Sequence, residues 1–142
     1  MLLVDTSVWV EVFRRPSPVS PADAFEIDDA VTCLPVIQEV LQGFRDERAF
    51  LVAREAMYAM PIVGSPVTAA LVDRAVDLYR SARRAGLTIR SSADCLIAAC
   101  ALTHSLPVLH HDRDFDLLAK VSPLESRRLK LAPGAAGKRR PS

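Results

Sequence analysis

Short apolar runs alternate along this chain with longer stretches in which apolar residues recur every three or four positions. The runs at residues 2–4 and 106–109 are almost purely apolar, which is typical of strands buried inside a parallel sheet. Residues 61–63 form a candidate for a third short strand. The longer stretches have the periodicity of helices with one buried face. The alternation predicts an α/β fold, with a short parallel sheet flanked by helices in a three-layer α/β/α arrangement.

Helix boundaries are predicted from capping residues and glycines. Ser91 and Ser92 precede a helix over residues 93–105, which is so rich in alanine and other apolar residues that we expect it to be buried. Gly86 is expected to end a long helix over residues 65–84. Further helices are predicted at residues 8–14, 22–30, 35–44, 46–59 and 113–121.

Length and composition indicate one domain. The chain has 142 residues, half of them hydrophobic, which is enough for a single core. We expect the domain to span residues 1–131 and the basic, proline- and glycine-containing residues 132–142 to form a flexible tail. No apolar run is long enough for a membrane span, and the first residues lack the basic start of a signal peptide. A cytoplasmic protein without a membrane anchor is therefore expected.

The charge is unevenly distributed. The net charge is +1, but six basic residues and no acid lie from Arg127 onward, which leaves 12 basic and 17 acidic residues before it. We expect these excess carboxylates either to face solvent or to gather around cations. The three cysteines, Cys33, Cys95 and Cys100, lack the spacing of zinc ligands and are interpreted as packed free thiols.

Acidic residues stand where parallel sheets form binding sites, beyond the carboxyl ends of strands. Asp5 and Asp112 follow the two predicted strands, and Asp94 lies in the first turn of the apolar helix. Capping or the helix dipole would explain each one alone, and Glu39 could lie on a solvated helix face. A carboxylate at the start of an apolar helix is costly, however, unless it is paired or bound to metal. Together the acids favour a site for Mg²⁺ or Mn²⁺, which suits phosphodiester hydrolysis.

Four segments carry a family pattern: LVDTSVW at 3–9, VIQEVLQG at 36–43, SSADCLIA at 91–98 and HDRDF at 111–115. In this order they resemble the PIN-domain nucleases, and more closely the VapC toxins of bacterial toxin–antitoxin pairs. The likeness covers about residues 1 to 130. It implies a PIN-like fold and a Mg²⁺- or Mn²⁺-dependent endoribonuclease that cuts structured RNA such as tRNA or rRNA. It also implies a VapB-type antitoxin as partner and a homodimer.

The resemblance assigns roles to particular residues. It implies that Asp5, Glu39, Asp94 and Asp112 are catalytic and bind the metal, with Asp114 as a further ligand. Asp116, which lies close by, is left unassigned. Hydroxyl groups that support the site are implied at Thr6, Ser7 and Ser92.

His110 and His111 depart from the pattern, because many members have a Thr-Asn or Thr-Leu pair before the acid. We interpret them as residues at the end of a strand rather than as ligands, although contact with RNA or proton transfer stays open. Trp9, Val12 and Phe13 are interpreted as core, with a groove for an antitoxin helix as the alternative.

The low net charge means that local arginines must contact RNA phosphates. The alternative is a solvated helix end that binds nothing. The candidates for phosphate contact are Arg80, Arg83, Arg84, Arg90 and Arg113.

Two other functions compete with a nuclease. One is a catalytically silent PIN-like module that acts through a DNA-binding partner. The other is a phosphatase-like enzyme with Asp5 as nucleophile, which would want a second aspartate at the position that Ser7 occupies.

Overall fold

A computed structural model describes residues 1–14 and 21–130, so the predicted tail at 132–142 lies outside the described residues. Its strands form one parallel sheet in the order β2-β1-β3-β4. The inner strands, β1 and β3, are completely buried, as their apolar sequences predicted. The α/β class with a short parallel sheet is therefore confirmed. The strands are β1 (Leu2–Val4), β2 (Ala30–Val31), β3 (Val108–His110) and β4 (Ser126–Arg128).

Helices connect and cover these strands. Within the described ranges, none is long and apolar enough to cross a membrane. The helix α1 packs on α3 and α3 on α4, while α5 packs on α6 and α6 on α7. A 3-10 turn at Ile27–Asp29 precedes β2. The helices are α1 (Thr6–Phe13), α2 (Pro21–Ala24), α3 (Leu34–Leu41), α4 (Glu47–Tyr58), α5 (Ala69–Arg84), α6 (Ser92–Thr103) and α7 (Arg113–Leu118).

The errors in the predicted secondary structure fall mostly on short elements. The predicted helix over residues 22–30 is wrong, because only α2 and the 3-10 turn are helical there and Ala30 pairs with Leu2 in the sheet. The predicted strand at residues 61–63 is reduced to one bridge between Ile62 and Thr32. The strand β4 was missed because its polar sequence, Ser-Arg-Arg, has no apolar run. Helix α5 starts at Ala69 rather than residue 65, capped by Thr68.

Helix α6 lies in the core, as its composition predicted. Residues 97–101 are fully buried, and α5 presents its apolar stripe to this part of the core. Gly64 permits close packing there: a Cβ built on it would lie 2.7 Å from the sulfur of Cys100 on α6. Cys33, Cys95 and Cys100 are free and buried, which confirms their interpretation as packed thiols.

Gly64→Ala is expected to destabilise the protein more than Gly86→Ala. Both glycines have positive φ, +70° and +79°, so alanine at either position adds backbone strain of about 1 kcal/mol. Only the Cβ at position 64 also meets Cys100, and such overpacking costs roughly 1–3 kcal/mol more. Urea unfolding of both variants measures the difference. Equal losses would mean that the packing around Cys100 relaxes freely.

Candidate metal centre

The central strands β1 and β3 deliver two acids to one edge of the sheet. The amide of Asp5 donates to the carbonyl of Leu109 at 2.9 Å, which ties the ends of the two strands together. Both acids cap the following helices: Asp5 Oδ2 accepts from the Ser7 amide at 3.0 Å, and Asp112 Oδ1 accepts from the Asp114 amide at 2.9 Å. Capping therefore occupies only one oxygen of each carboxylate.

Three carboxylates form the tightest cluster. One oxygen from each of Asp94, Asp112 and Asp114 lies within 4.8 Å of the other two. Asp94 comes from the first turn of α6, whereas Asp112 caps α7 and Asp114 lies in its first turn. Asp114 Oδ2 accepts from the amides of Arg90 and Ser91 at 3.0 and 3.1 Å. The loop before α6 is thereby joined to the start of α7.

Several carboxylate oxygens in this region have no donor. Asp5 Oδ1, Asp94 Oδ2 and Asp114 Oδ1 are buried, and among the described residues none of them accepts a hydrogen bond. A buried ionised carboxylate without a partner is strongly unfavourable, and several close together repel one another. A hard divalent cation would supply both the missing partner and the opposite charge. The donor set, which consists of oxygens alone, therefore fits Mg²⁺ or Mn²⁺.

The electrostatics of the metal-free site agree with this fit. Burial, with a smaller contribution from the charge of Glu39, raises the pKa of Asp5 to about 6 against the hydrogen bonds from Ser7. Burial also raises the pKa of Asp94 well above its usual range, and the nearby charges of Asp5 and Asp112 add to this rise. A bound cation would reverse these shifts by favouring the ionised forms.

Hydroxyl groups bind the acids beside the cluster. Ser7 Oγ donates to Asp5 Oδ2 at 2.6 Å and accepts from the His111 amide at 2.8 Å. Thr6 Oγ1 donates to Glu39 Oε1 at 2.9 Å. Glu39 is half-buried and lies close enough to Asp5 to affect its pKa, but it is outside the three-carboxylate cluster. Thr6 and Ser7 thus each contact an acid of the candidate site.

Ser92 and Asp116 lie near the site in the sequence, but neither side chain takes part in the three-carboxylate cluster. Ser92 is exposed and makes no hydrogen bond to these carboxylates in the described part of the chain; the amide of Ser91 binds Asp114 instead. Asp116 accepts from Arg128 at 2.7 and 3.2 Å and from Ser126 at 2.8 Å. Although burial opposes it, these hydrogen bonds hold the pKa of Asp116 below its usual range. Asp116 is therefore committed to an ion pair with β4.

The arginines proposed for phosphate contact are all exposed: Arg80, Arg83, Arg84, Arg90 and Arg113. Arg90 and Arg113 lie nearest the carboxylates, since one binds Asp114 through its amide and the other follows Asp112. The end of α5 also approaches α6, because Tyr79 and Ser92 line one groove. Backbone amides at the site were missed, since no sequence pattern marks a main-chain donor.

The aromatic residues of α1 divide between the core and the surface. Trp9 is buried, donates from Nε1 to the Val4 carbonyl at 3.2 Å and packs edge-on against Phe25, as predicted for a core residue. Phe13 is only partly buried and packs on Phe44. It lines an open groove together with Val10, which is 51% exposed.

Comparisons with known proteins agree with this geometry. Residues 2–121 match the family described as PIN domain. The chain is similar to the ribonuclease VapC11 of Mycobacterium tuberculosis, with 34% identity over 137 residues that cover 89% of this chain and 97% of the relative. VapC51 of the same species is 32% identical over 84% of this chain and 86% of its own length. The fold resembles that of the toxin–antitoxin member VapBC-5 from M. tuberculosis, with a TM-score of 0.66, 21% identity and coverage of 89% and 97%.

The metal-free protein is expected to lose stability as the pH rises from about 4 to about 9. Folding raises the pKa of Asp5 from 3.8 to about 6 and raises that of Asp94 too, so their protonated forms favour the folded state and their ionisation opposes it. Thermal unfolding in a chelator should therefore show a falling midpoint, with a smaller slope in Asp94→Asn. Added Mn²⁺ should restore the midpoint most at the higher pH, where the ligands are ionised. Parallel curves for the two proteins would contradict this electrostatic account.

Proposed function

Because this chain belongs to the PIN-domain family and is related to the VapC ribonucleases, we propose that it is a metal-dependent endoribonuclease. We further propose that it is the toxin of a type II toxin–antitoxin pair and acts in the cytoplasm. The observation that carries the proposal is the cluster of Asp94, Asp112 and Asp114, whose oxygens lie within 4.8 Å of one another. Two of these carboxylates have a buried oxygen without a donor among the described residues, as a cation site requires.

The proposed chemistry is hydrolysis of a phosphodiester bond. Asp94, Asp112 and Asp114 would hold Mg²⁺ or Mn²⁺, with Asp5 and Glu39 beside them. When bound, such an ion stabilises charge on the phosphate and lowers the pKa of a water molecule. The protein holds the acids in place through hydroxyls and backbone amides, so little rearrangement is needed when the ion binds.

Substrate binding is assigned to the exposed arginines. Arg90, whose backbone amide binds Asp114, and Arg113, which follows Asp112, would contact phosphates next to the reacting one. Arg83 and Arg84 at the end of α5 would extend the contact along a longer RNA, whereas Arg80 is assigned below to the contact between two copies of the chain. Structured RNA such as tRNA or rRNA is the proposed substrate class, by analogy with the family. A catalytically silent module remains the alternative, and the absence of divalent-cation binding in calorimetry would favour it.

A VapB-type antitoxin is proposed to occupy the groove beside α1. Val10, Phe13 and Phe44 contribute apolar surface to the groove, and Glu39 also lines it. An amphipathic helix fits such a groove through its apolar face, the usual mode for helical segments. A basic residue on that helix could then pair with Glu39 and block the site. Solved neighbours of this fold include toxin–antitoxin complexes, which supports a protein partner of this kind.

A second copy of the chain is proposed to cover the groove between α5 and α6. Three apolar side chains on α5, Val72, Val76 and Tyr79, are between 37% and 48% exposed and line this groove. The first half of the exposed α5 surface carries Asp73 and the second half Arg80, and neither makes an ion pair within the described residues. Two antiparallel copies of α5 would place each acid near the partner's arginine, so the surface is complementary to itself.

Val76→Arg is expected to dissociate the homodimer. A charge at the centre of an apolar interface should raise the dimer Kd by about tenfold or more, since hot-spot changes cost about 2 kcal/mol. Val52→Arg is the matched control, because Val52 is 65% exposed on α4, away from the α5–α6 groove. Sedimentation velocity measures both variants. A wild-type monomer, or equal effects of the two changes, would contradict the proposed surface.

Asp94→Asn is expected to abolish RNA cleavage while the fold is retained. Loss of a ligand should lower the rate more than about 100-fold, since even the residues that orient ligands contribute about 10- to 100-fold. Asp28→Asn, a change of an exposed acid outside the site, should cleave as the wild type does. The assay follows labelled RNA with Mn²⁺ and with a chelator, alongside circular dichroism. Equal cleavage by the wild type and Asp94→Asn would refute the assignment.

A further inference from the structure

One histidine next to the site is fully buried and lies within hydrogen-bond distance of groups on both sides. His110 is the last residue of β3, and its ring lies 5.3 Å from that of Phe115. Ser126 Oγ on β4 lies 2.6 Å from Nε2 of the ring. The amide nitrogen of Asp112 lies 3.2 Å from Nδ1. The ring therefore bridges the edge strand and the turn that carries a proposed metal ligand.

The hydrogen-bond partners on the β4 side determine whether Nε2 of His110 carries a proton. The guanidinium of Arg128 holds Asp116 as a carboxylate through contacts of 2.7 and 3.2 Å, and a carboxylate can only accept. Ser126 donates its single hydroxyl proton to Asp116 Oδ1 at 2.8 Å. Its oxygen must then accept from His110, so Nε2 carries the proton.

The opposite side of the ring leads to the same assignment independently. A backbone N–H can only donate, so Nδ1 must present a lone pair to the amide of Asp112. A proton on Nδ1 would set two donors against each other at 3.2 Å and leave the Asp112 amide without this acceptor. Both sides thus select the imidazole with its proton on Nε2.

We propose that His110 is a positioning residue: its neutral Nε2–H imidazole holds the amide of Asp112 and so fixes the turn that carries Asp112 and Asp114. The carboxylate of Asp112 in turn accepts from the Asp114 amide, so one ring orients both acids through the backbone. The preceding amide, of His111, is held by Ser7. The ligand-orienting part of this inference rests on the proposed function, since it takes the two aspartates as metal ligands.

The tautomer is tested on the full-length, metal-free wild type. A long-range proton–nitrogen correlation spectrum of histidine-labelled protein distinguishes the two neutral tautomers and the imidazolium. We expect His110 to be neutral at neutral pH with its proton on Nε2. A proton on Nδ1, on both nitrogens, or exchanging between them would overturn the inference. Because this measurement needs neither RNA nor metal, its outcome is separate from that of the proposed ribonuclease activity.

The positioning role is tested by Mn²⁺ affinity in two variants. The oxygen of an asparagine at position 110 can replace Nδ1 as acceptor, whereas leucine fills the space without an acceptor. His110→Asn should bind Mn²⁺ nearly as the wild type does, and His110→Leu should bind about tenfold more weakly, the effect typical of lost support for a ligand. Calorimetry gives both affinities, and thermal unfolding confirms that the variants fold.

The relative Mn²⁺ affinities of the two variants decide the outcome. If the ring of His110 only filled space, the order of the two affinities would be the opposite. Leucine buries more apolar surface than asparagine, so packing alone would favour His110→Leu. Equal affinities of the variants, or tighter binding by His110→Leu, would therefore overturn the positioning role. A wild type that binds no Mn²⁺ would overturn the proposed metal centre and the ligand-orienting role together, while the tautomer measurement still decides the hydrogen bond.

Discussion

The burial of several carboxylates close together is the constraint on which this structure depends. Asp5, Asp94 and Asp114 each have a buried oxygen that accepts no hydrogen bond within the described chain. Burial and neighbouring charge raise the pKa of Asp5 and Asp94, so the metal-free site favours bound protons. Packing of the apolar core offsets the cost of burying these acids, and a divalent cation bound at the site would lower that cost.

The fold holds Asp5, Asp112 and Asp114 by one oxygen each and leaves their other oxygen available. For Asp5 the holding donors are the amide and hydroxyl of Ser7, and for Asp114 they are the amides of Arg90 and Ser91. Backbone and hydroxyl donors suit this purpose because they carry no full charge that would compete with a cation. Arg128, a fully charged group, pairs instead with Asp116, and among the described residues no arginine forms an ion pair with the three-carboxylate cluster.

Much of this arrangement could be predicted from the sequence, because it depends on local pattern and on the rule for parallel sheets. The apolar runs predicted β1 and β3; Asp5 follows β1 directly, and Asp112 lies two residues after the end of β3. The predicted start of the apolar helix put Asp94 in the first turn of that helix, where the structure has it. The prediction failed where elements are short or polar: the segment 22–30 was assigned to a helix, and β4 was not recognised. Three residues of strand are too few for a periodicity to emerge.

By itself, the sequence determined which residues end strands and begin helices, and therefore that the acids share one edge of the sheet. Only the tertiary structure decided which acids meet most closely, which oxygen of each is free, and that Asp116 pairs with Arg128. It also decided the partners of His110, which lie on β4 and in the turn beyond β3. The physical reason is range: capping and periodicity act within a few residues, whereas hydrogen bonds between separate elements depend on how those elements pack.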